Sequence, residues 1–104
     1  MTTFDIAQVT RWGIDFLIVP LRANFEFKSM QEKYAAVARL QSAANDAGLH
    51  GIVVPVWASP SGKLVSLAQI QYQNVLRSID LEFVSCNINK NINVWDESRA
   101  VIDN

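Results

Sequence analysis

The segment VPVWASPSGKL, residues 54 to 64, runs an apolar, strand-like stretch into Ser59-Pro60-Ser61-Gly62 and then Lys63. Its reading decides the fold. As a hairpin turn, Pro60 takes the second turn position and Gly62 a positive-φ bulge, and Lys63 to Leu67 return as a strand. As a helix start, Ser59 caps and Pro60 opens the first turn. A phosphate loop is excluded by residue type. Such a loop needs a glycine five residues before its Gly-Lys pair and a Ser or Thr after the lysine, but here those positions are Trp57 and Leu64. The hairpin is the reading adopted, because Lys63 to Leu67 fit a strand and a clean helical stripe begins only later, at Ala68. It pairs Ser59 with Lys63, Trp57 with Val65, Val56 with Ser66 and Pro55 with Leu67.

Upstream, Ile14-Asp15-Phe16-Leu17-Ile18-Val19 is almost wholly apolar, which suits a central strand covered on both faces. Ser29-Met30-Gln31-Glu32 has the form of a capping box and predicts a helix to about residue 47, closed by Gly48, with Met30, Tyr34, Val37, Ala38 and Ala44 as its stripe. Residues 51 to 58 form the next strand. Pro55 lies inside it and donates no ladder hydrogen bond, so that strand is expected at an edge or with a bulge. A helical stripe follows at Ala68, Tyr72, Val75, Leu76 and Ile79. Residues 81 to 88 read as a further strand, and residues 92 to 95 as a short last one. Residues 4 to 12 read as a short helix, and the polar stretch 96–104 as a loose tail.

The expected fold is therefore α+β, a ferredoxin-like βαββαβ sandwich with an extra C-terminal strand, in one domain over residues 1–104. In it the strand at 14–19 and the hairpin's return strand are central, and the proline-bearing strand is an edge. If Ser59 starts a helix, the order becomes βαβαβ in a three-layer α/β sheet.

The 104 residues carry 9 basic and 10 acidic side chains, a formal net charge of -1, which favours neither nucleic acid nor a membrane surface as partner. One cysteine excludes an intrachain disulfide, and no apolar run reaches ~18 residues, so a cytoplasmic protein is expected. Half of the residues are hydrophobic, and so short a chain has much surface for its volume. Two helices on one face of a four-stranded sheet would leave the other bare. Self-association, as a homodimer or higher oligomer, is the expectation, with a small molecule or another protein as further ligands.

Residues for chemistry are sparse. His50 is the sole histidine, and Cys86 has no basic neighbour in sequence to activate it. No spacing suggests a metal site and no motif a cofactor. Asp15 and Glu82 are the acids inside predicted strands, and a carboxylate in a central strand needs a partner. Trp12, Trp57 and Trp95 suit a core or an interface. The expected ligand or interface surface is Asp15, Pro55, Trp57, Val65 and Leu67, on a non-catalytic binding protein. The competing expectation is a small enzyme with a pocket between paired sheets, where Asp15 or His50 moves protons.

Overall fold

The computed structural model describes residues 2–68, 70–77 and 79–94. Strand β1 (Thr2–Arg11) turns into β2 (Ile14–Pro20); a 3-10 turn (Ala23–Phe27) leads to helix α1 (Met30–Asp46), then β3 (Ile52–Ala58) and β4 (Leu64–Ser66). A second 3-10 turn (Ile70–Tyr72), helices α2 (Gln73–Leu76) and α3 (Leu81–Cys86) and strand β5 (Lys90–Val94) complete the described chain. The strands form one mixed sheet in the order β4-β3-β2-β1-β5. Only β2 and β3 are parallel, joined through α1, as a parallel pair requires a long crossover. No helix among the described residues is long and apolar enough to cross a membrane. The expected tail 96–104, and Trp95, lie outside the described residues.

The hairpin reading of Ser59 to Lys63 holds in its register. Val56 faces Ser66, Trp57 faces Val65 and Ala58 faces Leu64. The amide of Ser59 donates to the carbonyl of Lys63, and that of Leu67 to Pro55. Gly62 takes φ +85, as the bulge demands. The capping box is also present: the Ser29 hydroxyl accepts from the Glu32 amide while the Glu32 carboxylate accepts from the Ser29 amide. At the other end of α1, the amides of Gly48 and Leu49 reach back to the carbonyls of Asn45 and Ala44, the Schellman closure.

Several expectations are corrected. Residues 4 to 12 are strand, not helix. The apolar side of β1 changes partway: Phe4 and Ile6 pack on the α1 face, Ala7 and Val9 on the opposite one. That change destroys the simple alternation by which a strand is recognised. Residues 81 to 88 are not strand; Asp80 caps α3 by accepting from the Phe83 amide. The stripe read from Ala68 to Ile79 is split between a 3-10 turn and the short α2.

The sheet, finally, is not the split βαβ arrangement of a ferredoxin-like fold. Its parallel strands are neighbours, and β3 is interior, flanked by β2 and β4. Pro55 is tolerated there for a local reason. Its carbonyl, and with it the place of its missing N–H, faces β4, which ends at Ser66. Only the end of a three-residue strand loses a partner.

The helices therefore divide between the faces. On one, α1 lays Ala36, Leu40 and Ala44 against Leu17, Val19, Val53 and Trp57. On the other, Leu76, Ile79 and Val84 cover Phe16, Ile18, Val54 and Val56. Within β2 the side chains of Phe16 to Val19 are all buried, as expected of a central strand. The buried side of α1 is its small-residue side, which lets the helix approach closely. Met30 and Tyr34, expected in that stripe, stand outside it, 50% and 59% exposed.

Candidate functional site

The residues expected to form one surface are distributed by this fold. Trp57 is 3% exposed. Its ring meets Phe25 edge-on at 5.0 Å, the Lys33 ammonium lies 5.4 Å from the ring centre, and its indole N–H donates to the Glu26 carboxylate. Phe25 supplies this cover from the segment between β2 and α1, while the second phenylalanine of that segment, Phe27, is 79% exposed. Trp57 is thus spent on the chain's own core. Pro55 is buried beside it, and Val65 and Leu67 pack half-buried against the same cluster.

Asp15 lies elsewhere. It is exposed at the start of β2, where it accepts a hydrogen bond from the Thr10 hydroxyl. Phe16 pairs with Ile52 in the parallel register, so Asp15 stands level with Gly51. Trp57 lies six positions further along the chain from that level, roughly 20 Å along a strand. His50 is near the Asp15 end, and exposed. The close approach there concerns backbone: a Cβ on Gly51 would sit 2.9 Å from the Asp15 carbonyl oxygen, and Gly51 has φ +144. Glycine is required for packing. Cys86 is exposed on α3, and no cluster of three metal-ligating side chains occurs among the described residues.

The geometry instead assembles a site that lacked a single sequence signal. β4 ends at Ser66, and beyond it no strand among the described residues lies alongside β3. The Gln41 carboxamide of α1 occupies the gap. Its oxygen accepts from the Val53 amide at 2.9 Å and its nitrogen donates to the Gly51 carbonyl at 3.0 Å, as a strand residue would. The space left between α1, this capped edge and the chain leaving β4 is an apolar groove of about 320 Å³, bordered by Tyr34, Val37, Ile52, Leu67 and Ala68. Tyr34 and Val37 are one turn apart and point along the same side of the helix. Of the expected residues, Leu67 belongs to it.

A second groove, of about 210 Å³, lies across the β4 edge and is bordered by Leu64, Ser66, Gln73, Leu76 and Arg77. Among the described residues, no carboxylate lines either groove. Comparison of the chain with family models, with curated proteins and with solved structures gave no match.

Proposed function

We propose that this chain is a non-catalytic binding module whose working surface is the groove between α1 and the β3–β4 hairpin. One observation carries the reading. Tyr34, Val37, Leu67 and Ala68 leave an apolar concavity open at the surface, although both faces of the central sheet are already covered by the chain itself. Exposed aromatic and aliphatic side chains gathered at a concavity are the usual anchors of a partner. Asp15 and His50 support proton transfer less well, since both side chains are exposed and neither borders this groove.

Selection from a random peptide library displayed on phage tests the reading. Enriched peptides are expected to bind the wild-type chain and to lose binding to Val37→Glu, which sets a carboxylate in the apolar groove, and to Tyr34→Ala, which truncates a side chain already 59% exposed and leaves the core intact. Binders insensitive to both substitutions would overturn the assignment of the surface. Self-association is a further proposal, now without a bare sheet face to drive it. Light scattering at micromolar concentration tests it, and a monomer mass leaves the groove to another molecule.

A further inference from the structure

We infer that the β4 edge beside this groove is a strand-addition site for an extended peptide in which apolar and acidic side chains alternate. The inference rests on the binding reading above and names its ligand. The register fixes which backbone groups are on offer. Lys63 and Leu67 direct their hydrogen-bonding groups toward β3, through Ser59 and Pro55. In an antiparallel strand these directions alternate, so Leu64 and Ser66 present N–H and C=O outward.

The other exposed stretches of the interior strands are closed by side chains. Gln41 closes β3. The Asn89 carboxamide accepts from the Gln8 amide and donates to the Gln8 carbonyl, closing β1 where β5 stops. The Arg11 guanidinium donates to the Thr10 carbonyl on the same strand. Among the described residues, nothing comparable closes Leu64 and Ser66. Native proteins normally blunt such an edge.

An added strand would place successive side chains on opposite sides. One set meets the apolar groove of Tyr34, Val37 and Leu67, and the other meets the groove of Ser66, Gln73 and Arg77. Charge decides the second set. Arg77 is exposed on that side and has no carboxylate partner among the described residues, while Lys63 falls on the side of Val65 and Leu67. A second copy of β4, Lys63-Leu64-Val65-Ser66-Leu67, would bring no acid to Arg77, so self-pairing satisfies the hydrogen bonds and leaves that charge unmet. An acidic, extended segment of a different polypeptide satisfies both.

The test titrates the full chain with two short fluorescein-labelled peptides, one alternating Leu and Glu and one alternating Leu and Lys, read by anisotropy. The acidic peptide is expected to bind about tenfold tighter or better, and Arg77→Glu to reverse the order. Ser66→Pro removes an outward donor while sparing the ladder to β3, and is expected to weaken the acidic peptide about tenfold. Amide exchange on the wild-type chain gives a readout independent of any variant's folding: the Leu64 and Ser66 amides should slow on saturation. Equal binding of the two peptides, no binding of the acidic one, or unchanged exchange at Leu64 and Ser66 would overturn the inference. If the phage selection yields Val37-sensitive binders that lack the acidic alternation, this inference falls and the groove reading stands. If it yields no Val37-sensitive binder, both fall.

Discussion

The two faces of the sheet are covered by opposite means. On one side lies α1, a single helix of 17 residues with a capping box at its start and a Schellman closure at its end. On the other lie α2 and α3, of four and six residues, with a 3-10 turn before them. A helix that short has almost no internal hydrogen-bond ladder to offset its nucleation cost. Its order is borrowed from the sheet beneath it. The α1 face should therefore open only with the whole domain, and the α2–α3 face at lower cost. Of the two grooves beside β4, one borders α1 and the other α2.

The same substitution on each face gives the strongest contrast. Leu40 is fully buried under α1 and Leu76 is buried under α2. Leu40→Ala should cost about 4 kcal/mol in denaturant unfolding and Leu76→Ala about 2, because the looser cover can settle into the space vacated. Equal costs would break the comparison. Next come the two carboxamides that stand in for strand residues. Gln41→Ala strands the Val53 amide and the Gly51 carbonyl at a part-buried position, and should cost about 2 kcal/mol. Asn89→Ala acts at an exposed position, where water replaces the lost partner, and should cost about 0.5 kcal/mol.

The helix caps sharpen the distinction between global and local effects. Ser29→Ala should lower global stability by about 1 kcal/mol. Asp80→Ala removes the corresponding bond to the Phe83 amide, and its effect should appear chiefly as faster amide exchange within α3. The α1 cap also titrates. The Ser29 backbone amide, then the Ser29 hydroxyl and the Lys28 charge, hold the Glu32 carboxyl below its usual range, against a small opposing effect of burial. A depressed carboxyl stabilises the fold above its unfolded-state value, and the gain is lost as pH falls through the folded one. The difference in Tm between wild type and Glu32→Gln should thus be present at neutral pH and fade in acid.

The smallest effect has the opposite sign and belongs to neither face. Trp12 sits at the tip of the β1–β2 hairpin with φ +54, 74% exposed, where Arg11 pairs with Ile14 across a two-residue turn. Asn is the favoured residue there, so Trp12→Asn should raise stability by about 0.5 kcal/mol in thermal unfolding.

What could be read from the residues follows the range of the forces involved. The hairpin at Ser59 to Lys63 and both ends of α1 are set by contacts a few positions apart, and their registers were legible. β1 was not, since Phe4, Ile6, Ala7 and Val9 are apolar toward two different neighbours, and their spacing imitates a helix. α3 was missed because Leu81-Glu82-Phe83-Val84 is rich in strand formers, while its Asp80 cap is a single side chain. The groove was illegible for a related reason. Tyr34 and Val37 look like core positions of an amphipathic helix, and only the early end of β4 at Ser66 leaves them beside a gap. Trp57 looked like a surface anchor because its partner Phe25 lies far from it in sequence.

The pairing of β1 with β5 joins Thr2 to Val94 and Ile6 to Lys90. During synthesis, β1 can close its hairpin with β2 as soon as both have emerged, but its other edge must wait for nearly all of the described chain. Loop closure over such a separation is slow compared with the local hairpin and with α1. Until then Phe4 and Ile6 belong to a strand with one free side, in a nascent chain surrounded by others of its kind. The order of emergence makes this edge, rather than the short edge of β4, the one most exposed to mispairing before the fold is complete.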